Sequence, residues 1–76
     1  MNKTRRKELE NIFDIISSAQ EQLEVIRDDE EEYKENIPEN LQNSIRYETA
    51  EVAVDAIESA LFSIQEVLDY IEEAKQ

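Results

Sequence analysis

The sequence predicts an all-α protein, a long antiparallel two-helix hairpin, from three observations. The 76-residue chain contains no glycine and one proline, and it is rich in strong helix formers, which disfavours turn-rich β folds. Apolar residues recur every three or four positions in both halves of the chain, as they do along one face of a helix. Pro38 lies between these halves, which are nearly equal in length.

The first helix is predicted over about residues 4–35. Its apolar face is interrupted only by Glu30, and the series is Leu9, Ile12, Ile16, Ala19, Leu23, Ile26, Glu30, Tyr33 and Ile37. Pro38 disfavours the α conformation of the residue before it, so this helix should end near Glu35. Over the link at 36–44, Pro38 can begin a one-turn helix capped by Asn36.

The second helix is predicted over about residues 45–75, capped by Ser44 or Asn43. Its contact face follows Ala50, Ala53, Ile57, Ala60, Ile64, Val67, Ile71 and Ala74. A flanking row widens this face, and it consists of Tyr47, Val54, Leu61 and Leu68. The chain is therefore expected to be one helical-hairpin domain over 1–76.

Two helices cannot cover all of this apolar surface, because the arc on the second helix spans roughly 160°. Ile15, Val25, Phe62 and Tyr70 lie still further out. We expect homo-oligomerisation, most simply a dimer of hairpins that forms a four-helix bundle. A groove for a foreign helix is the alternative.

Net charge and hydropathy limit the classes of partner and the cellular compartments expected for the chain. With 20 acidic and 8 basic residues the net charge is −12, so direct nucleic-acid binding is not expected. No apolar run approaches the roughly 20 residues that span a bilayer, and the N-terminus lacks the apolar segment of a signal peptide. We therefore expect no membrane association and a cytoplasmic location.

The ends of the helices carry opposite charges. Lys3, Arg5, Arg6 and Lys7 begin the first helix, and Glu66, Asp69, Glu72 and Glu73 lie near the end of the second. A hairpin brings the two groups together, and exposed pairs of this kind contribute at most about 1 kcal/mol each. They are expected to select the register more than to stabilise the fold.

The chain carries little that supports catalysis. It has no cysteine and no histidine, which excludes disulfides, thiolate or imidazole metal sites, and a Cys or His nucleophile or base. The acidic run Asp28–Glu32 lacks the ligand spacing and the glycine of an EF-hand, so it is interpreted as a solvated helix face. We expect no enzyme activity, no metal and no cofactor.

The turn end carries the candidate partner or ligand site. The residues proposed for it are Tyr33, Lys34, Asn40, Asn43, Arg46 and Tyr47. Arg27, Glu30 and Lys34 are expected on the seam face, with Arg46 at the same level of the second helix. The group can be a salt-bridge layer that fixes register or oligomeric state, or a receptor for an anionic group.

The segment from Ile37 to Gln42, with Ser44, Arg46 and Tyr47, resembles a set of small uncharacterised acidic helical-hairpin proteins of bacteria and their phages. The resemblance implies a small bacterial or phage accessory protein and names no substrate. Asn43 stands where similar proteins are expected to have glycine, and it bears on the geometry of the turn.

Three functions remain open. The first is a non-catalytic protein-interaction module that binds a protein partner through its turn end or its outlying apolar residues. The second is an acidic inhibitor that imitates a nucleic-acid backbone and occupies a basic groove on a host protein. The third is a binder of a small anionic ligand, such as a nucleotide, at Lys34, Arg46, Tyr33 and Tyr47.

Overall fold

The computed structural model describes all 76 residues as two long helices joined by a short turn. Helix α1 spans Lys3–Glu35, a single 3₁₀ turn spans Glu39–Leu41, and helix α2 spans Ile45–Ala74. The Cα atoms occupy a rod of 59 × 14 × 12 Å. The radius of gyration is 17.4 Å, against about 11 Å for a compact domain of this length. The predicted all-α helical hairpin is confirmed.

Side-chain caps define where each helix begins. The Asn2 side chain accepts a hydrogen bond of 2.8 Å from the backbone N–H of Arg5 at the start of α1. Ser44 Oγ accepts one of 3.3 Å from the backbone N–H of Tyr47 at the start of α2, so Ser44 is the predicted cap that is used. Asn36 closes α1, and its backbone N–H donates to the carbonyl of Glu32. The 3₁₀ turn begins after Pro38 and receives no hydrogen bond from a capping side chain. The prediction for Asn36 was therefore wrong.

The two helices run antiparallel and in contact along their whole length. Three side-chain pairs join them at the open end, in the middle and at the turn end, namely Arg6 with Lys75, Gln20 with Gln65, and Lys34 with Tyr47. Because the pairs are distributed over the rod, the hairpin has one register from end to end.

The seam between the helices follows a heptad pattern, abcdefg, in which a and d face the partner helix. The buried residues are Ile37 in the link and, from α2, Ala50, Val54, Leu61 and Leu68. Half-buried Ile57, Ile64 and Ile71 complete the d row of α2. From α1 the a row is Arg6, Phe13, Gln20, Arg27 and Lys34, and the d row is Leu9, Ile16, Leu23 and Glu30, all of them half-buried.

The predicted contact faces were displaced by one row. Seven residues predicted to lie in the contact are exposed, namely Ile12, Ala19, Ile26 and Tyr33 of α1 and Ala60, Val67 and Ala74 of α2. The row predicted only to flank the contact is instead buried at Val54, Leu61 and Leu68. The apolar stripe of α2 is three rows wide, so periodicity alone does not say which two of its rows face the partner helix. In α1 the stripe is two rows wide, and the row that enters the seam instead of the g row is polar except for Phe13. In α1 the long stems of arginine, lysine and glutamine cover α2, and their polar ends contact polar or aromatic groups at the edge of the seam, as Arg6, Gln20 and Lys34 do.

Neither helix contains a stretch that is both long enough and apolar enough to span a bilayer.

Candidate interaction surfaces

The six residues predicted as a site all lie near the turn, but they do not converge. Lys34 and Tyr47 face each other across the seam, with the Lys34 Nζ atom 6.0 Å from the centre of the Tyr47 ring. Tyr33 and Arg46 are exposed g residues, and Asn40 and Asn43 are exposed in the link. None of the six lines any of the five depressions on the surface. The turn end thus has no enclosed pocket built from these side chains.

The predicted polar layer beside the turn is present, but the salt-bridge layer is not. Arg27, Glu30 and Lys34 are half-buried at seam positions, as expected. The Arg27 guanidinium pairs with its neighbour Asp28 at 3.1 Å, and Arg46 makes no ion pair. All three ion pairs of the structure join residues of the same helix segment, so none of them ties α1 to α2.

At the open end of the hairpin, opposite the turn, the Arg6 side chain joins the two helices by a hydrogen bond to a backbone carbonyl. Arg6 Nε donates a hydrogen bond of 2.8 Å to the carbonyl of Lys75, and its terminal nitrogen donates one of 3.0 Å to the carbonyl of Met1. The Lys75 Nζ atom lies 5.3 Å from the centre of the Phe13 ring and 3.1 Å from a carboxylate oxygen of Glu72. The predicted pairing with the acidic side chains of α2 is replaced by a contact with its C-terminal carbonyl, where the helix dipole is negative.

The antiparallel register divides the rod into two broad faces. An approximate two-fold axis, normal to the plane that contains both helices, exchanges α1 and α2. A rotation about this axis does not exchange the two broad faces of the rod. The g rows of both helices therefore lie on one broad face, and the e rows lie on the other. The residues of these rows differ sharply in chemistry.

The apolar face is formed by the two g rows. Its residues are Ile12, Ala19, Ile26 and Tyr33 of α1 and Ala53, Ala60, Val67 and Ala74 of α2. Ile12, Ile26 and Val67 are 45%, 53% and 44% exposed, although all three belong to apolar stripes. Exposed Ile15 and Tyr70 occupy the neighbouring c positions. No carboxylate belongs to these rows, and an arginine stands at one end of each, Arg5 in α1 and Arg46 in α2.

The acidic face is formed by the e and b rows. It holds 13 of the 20 acidic residues, which are Glu10, Asp14, Glu21, Glu24, Asp28, Glu31, Glu35, Glu48, Glu51, Asp55, Glu58, Asp69 and Glu72. Phe62, which is 70% exposed, stands alone among them at a b position. No group of three or more carboxylates on the chain is arranged to hold a metal ion. The acidic face is thus an open charged surface with one aromatic side chain.

Sequence reasoning placed the wide apolar stripe correctly but assigned its outer rows to the seam. The heptad register of an antiparallel helix pair could have distinguished seam rows from outer rows. In such a pair, equivalent positions of the two helices, g with g and e with e, lie on the same face of the rod. No sequence pattern predicted the contacts of Arg6 with Lys75 and of Gln20 with Gln65, because all four residues are polar and are commonly found exposed to solvent.

Comparison with known proteins gives no relative of this chain: no family model, no curated protein and no solved structure matches it. The resemblance of the turn segment to small acidic hairpin proteins of bacteria and phages therefore stays a prediction.

Proposed function

We propose that the chain is a non-catalytic protein-interaction module, a small bacterial or phage accessory protein that acts in the cytoplasm. The observation that supports this best is the separation of surface chemistry, with an acidic face and an apolar face on opposite sides of one rod. A rod that presents two unlike surfaces is suited to contact two unlike partners. The turn-end residues contribute less to this proposal, since they point to different surfaces.

The open shape of the hairpin supports an interaction role over a chemical one. Each surface depression is lined by only three or four residues. Catalytic and small-molecule sites are usually concave and exclude water, whereas protein-binding surfaces of helical hairpins are flat or convex. The charged and apolar side chains of this hairpin lie on such open surfaces.

A second candidate function, an acidic inhibitor that imitates nucleic acid, is favoured by the density of the acidic face. Its carboxylates extend over about 37 Å of each helix, which gives roughly one charge per 3 Å. Double-stranded DNA carries about one per 1.7 Å. The acidic face therefore has about half the linear charge density of DNA, and Phe62 adds an apolar anchor of the kind that often dominates binding energy.

The experiment that tests both candidates is capture from a bacterial lysate by the immobilised chain, at about 0.05 M and about 0.5 M salt. A partner held by charge on the acidic face should dissociate at the higher salt, because the screening length falls below about 5 Å. A partner held by apolar contacts should remain bound. Absence of any specific partner at either salt concentration contradicts the interaction module.

Matched variants locate the binding surface. The triple variant Glu51→Gln, Asp55→Asn, Glu58→Gln neutralises three charges on the acidic face. Its control, Glu32→Gln, Glu66→Gln, Glu73→Gln, neutralises three charges at f positions, which point away from both broad faces. An acidic inhibitor loses its partner in the first variant only. Equal loss in both variants indicates that net charge matters and the face does not.

A further inference from the structure

We propose that the apolar face is the interface with a second copy of this chain, in which α1 of each copy packs against α2 of the other. The inference goes beyond the proposed function, since it concerns the opposite side of the rod from the acidic face. It gives the dimer expected from the sequence a specific surface and a specific orientation.

The area of the hairpin indicates how much surface a partner has to cover. The accessible surface is 5744 Å², whereas a compact monomer of 8.9 kDa exposes about 4,800 Å². The excess of about 900 Å² is close to the roughly 800 Å² that each partner contributes to a standard protein interface. Only five residues of the single hairpin are buried, so the covered area would also supply much of the core.

The direction of the apolar face fits a four-helix bundle. At about 100° per residue, the g row lies about 90° around each helix from the centre of the a/d seam. In a square bundle each helix packs against two neighbours that are also about 90° apart. The d rows, with Ile57, Ile64 and Ile71 only half-buried, lie between the two contacts and would be completed by the second copy.

Charge identifies the second copy as the occupant. The chain carries a net charge of −12, and two copies repel each other unless their carboxylates stay away from the contact. The g rows hold none of the 20 acidic residues, and 13 of those residues lie on the opposite face, where they remain in water. An interface between two copies along the g rows thus buries apolar side chains, and the one carboxylate in the d rows between the two contacts is Glu30, near the turn end.

Side-chain size selects the orientation. With both turns at the same end, α1 faces α2 of the second copy, so the larger g residues of α1, Ile12, Ile26 and Tyr33, face a row that consists mostly of alanine. The register given by the contacts of Arg6 with Lys75 and of Lys34 with Tyr47 places each g residue of α1 between two g residues of α2. Ile12 lies between Val67 and Ala74, Ala19 between Ala60 and Val67, and Ile26 between Ala53 and Ala60. The reverse orientation sets α1 against α1, which places large residues together on one side and alanines together on the other. The first arrangement fills space evenly, as close packing requires.

The first test compares Ile26→Glu with Val25→Glu by size-exclusion chromatography with light scattering and by sedimentation. Both variants add one negative charge at an exposed position, 53% and 60% exposed, but only Ile26 lies on the apolar face. The wild-type chain should show twice its 8.9 kDa mass at micromolar concentration. Ile26→Glu should raise the dimer dissociation constant about a hundredfold or more, because it buries a carboxylate in each half of the interface. Val25→Glu should leave it within about threefold, and circular dichroism checks that both variants stay helical.

The second test measures orientation by disulfide formation, which is clean because the chain has no cysteine. Chains with Ala19→Cys and size-tagged chains with Ala60→Cys are mixed and oxidised, and a mixed disulfide is expected since these two g residues lie nearly level across the proposed interface. Ser18→Cys mixed with Ser59→Cys is the control, because both lie at outward f positions. A disulfide between two Ala19→Cys chains that exceeds the mixed product overturns the orientation.

A wild-type chain that is monomeric at micromolar concentration overturns the interface, and so does a dimer that Ile26→Glu and Val25→Glu weaken equally. Added salt separates this inference from the proposed function. Dimerisation should strengthen with salt, because screening reduces the repulsion between two acidic chains, whereas binding of a basic partner to the acidic face should weaken. A monomer that still captures a partner contradicts only the interface.

Discussion

Replacing Leu68 by alanine tests which rows of side chains form the seam of the hairpin. Leu68 is 4% exposed in the a row of α2, and its neighbour Val67 is 44% exposed in the g row. Periodicity alone ranks them in the opposite order, with Val67 in the contact and Leu68 beside it. The two substitutions, at adjacent positions of one helix, therefore separate the structural assignment from the sequence-based one.

The expected cost of Leu68→Ala follows from its burial. Leucine-to-alanine changes in enclosed cores cost about 2.7 to 5 kcal/mol, and a two-helix seam can close part of the space, so we expect about 2.5 kcal/mol. That is at least half of the roughly 3 to 5 kcal/mol available to a core of this size. The unfolding midpoint should fall by about 10 to 20 °C. Val67→Ala removes two half-exposed methyl groups and should cost less than about 1 kcal/mol.

The measurement is thermal and urea unfolding, followed by circular dichroism at the lowest protein concentration that gives a signal. Dilution matters because Val67 also lies on the apolar face, and the cost of Val67→Ala should rise with concentration if that face is covered by a second copy. Equal costs for the two variants in dilute solution would refute the seam described here.

Three further substitutions test individual contacts. Arg6→Met removes the hydrogen bond to the carbonyl of Lys75 at the end of α2, and it should lower the free energy of unfolding by about 1 kcal/mol and speed amide exchange there. Arg5→Met, at an exposed position, should change neither quantity. Ser44→Ala removes the cap of α2 and should lower the free energy of unfolding by about 1 kcal/mol in urea titrations; Asn43→Ala, beside it, should have a clearly smaller effect. Gln20→Leu replaces a half-buried polar seam residue and should raise the unfolding midpoint by several degrees; a lower midpoint would indicate that its hydrogen bond across the seam outweighs apolar packing.

Most of the fold was predictable because it depends on local rules. The absence of glycine, the helical spacing of apolar residues and Pro38 place two helices and a turn within about one residue of their observed ends. Ser44 was recognisable as a cap from its residue type alone. The contact of Arg6 with the end of α2 was foreseen as a meeting of unlike charges, but its acceptor is a backbone carbonyl, which no side-chain pattern reveals.

The candidate surfaces were less predictable because they depend on how the two helices are rotated against each other. Tyr33 and Lys34 are adjacent in sequence and both near the turn, yet one is exposed on the apolar face and the other lies in the seam. The apolar stripe of α2 is three rows wide and allows two rotations that differ by one row, because its a and g rows each carry four apolar residues. In α1 the apolar residues alone favour the g row over the mostly polar a row. The cluster at the turn end was proposed for one rotation, and the structure has the other.

The sequence by itself determined that this chain is helical, where it turns and how acidic it is, because each of these follows from residue type and short-range spacing. Only the tertiary structure decided which rows face inward, since that depends on how long polar stems in α1 cover small and branched side chains in α2. This rotation separates the acidic face from the apolar face. Two surfaces that are interleaved along the sequence thereby become opposite sides of one rod.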